Sequence, residues 1–140
     1  MIRSILLATD GSAPAERAAA VAASLGRRYG ARVTVVHAYS RLPEEREGAD
    51  DSGLDDPIRS EAIALVDNVV RRLRELGVTT VSGDTMAGAA VEVILTLASI
   101  YQADVIVLGA RGQSPWQGLV LGSVSLAVTQ RAPCAVLVVK

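Results

Sequence analysis

The residues best suited to chemistry in this 140-residue chain are two glycine-bearing segments and the polar groups within them. Gly109-Ala110-Arg111-Gly112 is followed, nine residues on, by Gly122-Ser123. Phosphates need backbone N–H donors at close range, and glycine lets the chain curl and approach an anion. The first segment follows the apolar run Asp104–Leu108, and the second opens a short helical stretch. A helix N-terminus adds N–H groups and the positive end of the helix dipole. Ser123 brings a hydroxyl to that end and Arg111 a cation. Together they read as a phosphate cradle; the alternative is a glycine-rich turn that only reverses the chain. Two better-known phosphate motifs do not fit. A P-loop needs Gly-x-x-x-x-Gly-Lys-Ser/Thr, whereas Gly118 and Gly122 stand four apart with no Lys near. Gly109 and Gly112 do not supply Gly-x-Gly-x-x-Gly either.

Elements must hold these residues in place. Ile2–Ala8 is a short apolar run that stops at Thr9-Asp10-Gly11-Ser12, a cluster of turn and N-cap residues. A helix follows with Pro14 in its first turn. Ala15–Tyr29 carries Ala18, Val21, Ala22 and Leu25 at helical spacing, and Gly30 stops it. Arg32–Ala38 is β-branched and reads as a second strand. Pro57 opens a helix to about Leu76, with Ile63, Val66, Val70 and Leu73 as one stripe and Gly77 as its end. Its Arg71, Arg72 and Arg74 suit the negative end of the dipole. Val78–Gly83 is a weaker strand. Ala89–Tyr101 is a helix with Val91, Ile94, Leu95 and Ala98 inward. Asp104–Leu108 has the near-pure Val/Ile/Leu content of a strand buried on both faces. Ser123–Arg131 is a short helix, Pro133 breaks it, and Ala135–Val139 is the last strand. Strict alternation of strand and helix predicts an α/β fold, an open parallel sheet with helices on both faces.

The length predicts one domain over residues 1–140. Four residues are aromatic and none is Phe, so Val, Leu, Ile and Ala must build the core. The net charge of −1 leaves no broad basic footprint for nucleic acid. No run approaches a membrane span and the start lacks a signal peptide, which predicts a cytoplasmic protein with no membrane partner. The single Cys134 cannot form an internal disulfide and reads as core packing. Ser40–Asp56 holds seven carboxylates and reads as a long surface loop. His37 reads as a structural hydrogen-bonder, and Trp116 as a surface residue of the glycine loop. Asp10 either caps the turn into the first helix or meets a ligand.

The spacing Gly-x2-Gly-x9-Gly-Ser is complete here, and ILLATDGS, HAYS, ADVIVLGARG and APCAVLVV surround it. On these motifs the chain resembles the ATP-binding branch of the universal stress protein family over nearly its whole length. The resemblance implies five strands in the order 3-2-1-4-5, with the nucleotide across the ends of strands one and four. Ligands of open α/β sheets sit at such a switch point. It implies that Gly109, Arg111, Gly112, Gly122 and Ser123 meet ribose and phosphates, and that Val124 and Ser125 continue the phosphate-binding helix start. Ala8, Thr9 and Asp10 end strand one. Asp10 matches an acidic position near the ribose or a divalent ion, and Ala8 and Ala38 match positions lining the adenine pocket. The expected function is regulatory ATP binding in a stress response, with Mg²⁺, no catalytic residue and at most slow hydrolysis. The rivals are a nucleotide-free dimerisation and signalling module of the same fold, and a nucleotidyl transferase, whose usual HxGH-like or Lys-bearing motif is missing. Ala135–Val139 would be an outer strand, and an apolar edge needs cover. The resemblance implies a homodimer in which that strand pairs with its copy.

Overall fold

A computed structural model describes residues 1–40, 56–111 and 121–140 of the chain. The elements are β1 (Ser4–Ala8), α1 (Ala13–Tyr29), β2 (Arg32–Tyr39), α2 (Pro57–Glu75) and β3 (Val81–Ala87). They continue with α3 (Ala90–Ile100), β4 (Val105–Gly109), α4 (Ser123–Arg131) and β5 (Ala135–Val139). All strand pairings are parallel, in one sheet ordered β3-β2-β1-β4-β5. This is the expected α/β class and strand order.

Side chains alternate across a strand, so each central strand feeds two cores. Ile5, Leu7, Val33, Val35, Val105 and Val107 pack against α1 and α2. Leu6, Ala8, Val36, Ile106 and Leu108 pack against α3 and α4. The face of α1 is almost wholly alanine: Ala15, Ala18, Ala19, Ala22 and Ala23, with Gly26. A Cβ at Gly26 would lie 2.9 Å from Val33 Cγ2, so this helix lies close on the sheet. A core without Phe closes by bringing backbones together. Ser12 Oγ caps α1 by accepting from Ala15 N at 3.3 Å. Asp104 ties the sheet's starting end together. Its carboxylate accepts from Arg3 N at 2.8 Å and Ser4 N at 2.9 Å, which holds its pKa below the usual carboxylate value.

Three expectations shift. The third strand begins at Val81 and runs to Ala87, not Val78–Gly83. Gly77 has φ +96° and Val78 N still bonds Leu73 O at 3.0 Å, so the chain is leaving α2 there. Gly83 is no strand end: a Cβ would strike Val66 Cγ1 at 2.3 Å, so the glycine lets α2 lie against the strand. Ile63 is 40% exposed, and Ala62 takes the inward position with Val66, Val70 and Leu73. Val21, Leu25, Val91 and Leu95 are half-buried, while Val93, Ile94, Leu97 and Ala98 form the buried stripe of α3. Residues 41–55, most of the expected acidic loop, lie outside the described residues, as do Gly112 and Trp116.

Candidate functional site

The chain leaves β1 toward one face of the sheet, into α1, and leaves β4 toward the other, into α4. Diverging connections leave a crevice beyond the strand ends. Here it is a cleft of about 550 Å³. Ala8, Val36, Ala38 and Leu108 from strands, with Ala90 and Ile94 of α3, give it an apolar lining. Thr9, Asp10, Arg111 and Ser123 give it a polar one.

The turn after β1 is held by its own polar groups. Thr9 N donates to Val36 O at 3.0 Å, and Thr9 Oγ1 accepts from Gly11 N at 3.2 Å. Gly11 has φ +80°, where a side chain would be strained. Asp10 Oδ1 accepts from Ser12 N at 3.0 Å while the residue lines the cleft. Asp10 therefore holds the turn into the first helix and also stands at the cleft. His37 Nδ1 lies 2.8 Å from Thr9 O. A carbonyl only accepts, so Nδ1 carries the proton in this bond. His37 is the expected structural hydrogen-bonder, and it lines the cleft as well.

The other wall begins at Gly109. A Cβ there would lie 2.9 Å from Pro14 C and Cβ, so glycine is required where β4 meets the first turn of α1. Ala110 N donates to Val139 O at 2.7 Å. Ala110 O accepts from Gly122 N at 2.6 Å and from Ser125 Oγ at 2.6 Å, joining the two ends of the glycine loop. Gly122 is the N-cap of α4 and has no side chain to cap it. An α-helix leaves its first N–H groups without intrahelical partners. In α4 these belong to Ser123, Val124 and Ser125, all lining the cleft. The Ser125 hydroxyl is committed to Ala110 O and Gly122 O, so its N–H is the group that can face a ligand.

Every residue expected at the site lines this one cleft, except Gly112, which lies outside the described residues. Ala15, Val36, His37, Ala90, Ile94, Leu108 and Ala110 line it too and were not expected there. Val36 is the register partner of Ala8, a signal available once the strands are paired. Ile94 was legible only as an inward helix residue, and Ala90 carried no signal. Among the described residues, no group of three or more His, Cys, Asp or Glu could hold a metal ion. None of the described helices is long and apolar enough to cross a membrane.

Comparison with known proteins agrees with this architecture. The model of the Universal stress protein family matches residues 1–140. The Thermus aquaticus protein "Universal stress protein in QAH/OAS sulfhydrylase 3'region" is 40% identical over 147 residues, covering 100% of both chains. A crystal structure of a universal stress protein in complex with cAMP is similar at TM-score 0.80 and 25% identity, covering 99% of this chain and 97% of that one. The universal stress protein from Archaeoglobus fulgidus in complex with dAMP gives a TM-score of 0.70 at 25% identity, covering 100% of this chain and 98% of that one. With a family match along its full length and a relative 40% identical end to end, the chain belongs to the universal stress protein family.

Proposed function

We propose that this protein binds ATP in the cleft and acts through the bound state, as a regulatory component of a stress response in the cytoplasm. One observation carries the reading. The cleft joins an apolar lining fit for a flat base to the first-turn N–H groups of α4, which suit phosphate. Two similar structures hold adenine nucleotides, cAMP and dAMP. Ala8, Val36, Ala38 and Ile94 would enclose the base. Gly109 and Arg111, with Gly112 beyond them, would meet ribose and phosphates, and the N–H groups of Ser123, Val124 and Ser125 the terminal phosphates. Asp10 would take a ribose hydroxyl or one position on Mg²⁺. Mg²⁺ keeps several waters and binds mainly phosphate oxygens in nucleotide sites, which suits a cleft with a single carboxylate among its described lining. Phosphoryl transfer needs an aligned nucleophile and several charge-stabilising groups. Asp10, Arg111 and His37 are the acidic and basic side chains of that described lining, too few for efficient transfer, so hydrolysis is slow at most.

The test is calorimetry of ligand-free protein with Mg-ATP, beside mass spectrometry of whatever leaves the freshly purified protein. The expected affinity is micromolar, about 8 kcal/mol. The absence of both heat and thermal shift at millimolar ATP would overturn the reading in favour of a nucleotide-free module. The assembly proposed is a homodimer. β5 is an outermost strand, Leu137 is 37% exposed, and an apolar edge is best covered by its own copy across a two-fold axis.

A further inference from the structure

The end of the sheet opposite the cleft gathers a different chemistry. Strand starts and helix ends meet there. Arg32 N donates to Arg3 O at 2.9 Å, and Arg32 Nη2 to Tyr101 O at 3.4 Å. Arg27 Nη1 donates to Leu76 O at 3.0 Å and Arg74 Nη2 to Val81 O at 3.5 Å. These bonds set Arg3, Arg27, Arg32 and Arg74 around one end of the molecule. Arg28 and Arg72 sit in the last turns of α1 and α2 at the same end. The acceptors are carbonyls, which orient a guanidinium without neutralising it. Among the described residues, the carboxylates placed at this end are Asp104, held by Arg3 N and Ser4 N, and Glu75, 3.8 Å from Arg72. A chain with a net charge of −1 therefore carries one strongly positive end.

Apolar side chains are exposed at the same end of the molecule. Ile100, the last residue of α3, is 60% exposed, and Tyr29, the last of α1, is 45% exposed. That combination separates the candidate partners. Nucleic acid favours charge with several stacking faces, and an acidic protein favours charge. A bilayer interface takes cations against lipid phosphate and accepts aliphatic and Tyr side chains beside them. We propose that this end docks on an anionic membrane surface, with the arginines against lipid phosphates and Ile100 and Tyr29 entering the interfacial layer. The expectation of no membrane partner rested on the absence of a spanning segment, and the balanced net charge was weighed only against nucleic acid. A surface contact needs no span, and the charge is balanced only over the whole chain. In this pose the cleft faces away from the bilayer.

The test is co-sedimentation of the full chain with vesicles of mixed phosphatidylglycerol and phosphatidylcholine, against vesicles of phosphatidylcholine alone. The protein should pellet with the anionic vesicles at low salt. It should stay in solution with the neutral ones, and leave the anionic ones at about 1 M salt, where screening acts within roughly 3 Å. Arg3→Gln with Arg28→Gln should weaken anionic-vesicle binding by roughly thirtyfold, with the melting temperature as a check on folding. Arg28→Gln with Arg72→Gln is the second pair should the first disturb the fold. Ile100→Ser should weaken binding that survives moderate salt. The proposal is overturned if the wild type does not pellet with anionic vesicles, or pellets equally with neutral ones. It is also overturned if both arginine pairs bind unchanged, or if RNA or an acidic peptide is bound while vesicles are not.

Discussion

Thr34 lies fully buried in β2, and its Oγ1 is the buried side-chain oxygen that finds no hydrogen-bond partner among the described residues. A buried hydroxyl without a partner carries its desolvation penalty uncompensated, whereas an apolar group of similar shape does not. Thr34→Val should stabilise the protein by about 1 kcal/mol, a rise of about 3 °C in melting temperature. Thermal unfolding showing an equal or lower midpoint would count against this account. Gly122 poses the opposite question. Its φ of −74° and ψ of 168° are open to any residue, so backbone freedom is not why glycine stands there. Space is the reason: a Cβ would lie 3.3 Å from Ala110 O and 3.4 Å from Arg111 Cα, at the mouth of α4. Gly122→Val should cost at least about tenfold in nucleotide affinity while the melting temperature moves little. Normal affinity in calorimetry would show that phosphate does not sit against this helix start. Gly109 was legible as a special glycine for a different reason from the one the structure supplies. The sequence reads it as an approach to phosphate; the packing shows that Pro14 leaves no room for a side chain.

At the scale of elements, the join between β1 and β4 is electrostatic at one end. Two backbone N–H groups hold the Asp104 carboxylate ionised and depress its pKa. A depressed folded-state value contributes stability above the unfolded pKa of about 3.9, and that contribution disappears as pH falls through the folded value. Asp104→Ala should therefore be less stable than wild type at neutral pH. The two denaturant midpoints should converge in acid, measured by urea unfolding at a series of pH values. A constant gap at every pH would mean that Asp104 acts by packing instead. The same scale explains why β3 was misplaced. Its sequence Val-Ser-Gly-Asp-Thr-Met-Ala resembles a turn, yet every residue pairs in register with β2 from Val33 to Tyr39. Pairing with a neighbour overrides weak local preference in an edge strand.

At the scale of the whole molecule, the sheet has two open edges, β3 and β5. β3 contains Gly83 and Asp84, whereas β5 is apolar from end to end. Gly and charge discourage edge pairing, so β5 is the edge expected to meet a copy. Leu137 is the residue to change, because Val138 packs into the core shared with α3 and α4. In a two-fold contact Leu137→Asp places one carboxylate near its twin. Sedimentation should show a dimer for the wild type at tens of micromolar and a monomer for the variant. A monomeric wild type, or a dimeric variant, would remove β5 as the interface.

What the sequence determined by itself is local. Capping residues, glycine stops and the period of apolar residues set the identity and order of the elements, because burial repeats every two residues in a strand and every 3.6 in a helix. The glycine spacing marked the loop between β4 and α4, and the same motifs carried the resemblance from which the strand order came. Tertiary structure alone decided what depends on residues far apart in the chain. Asp104 reaches Ser4 across 100 positions, and His37 reaches Thr9 across 28. Register set Val36 beside Ala8, α3 brought Ala90 and Ile94 to the cleft, and Pro14 made Gly109 obligatory. The positive end has the same origin. Its arginines are scattered through α1, α2 and the starts of β1 and β2, and they become neighbours because every parallel strand begins, and each of those helices ends, on that side of the sheet.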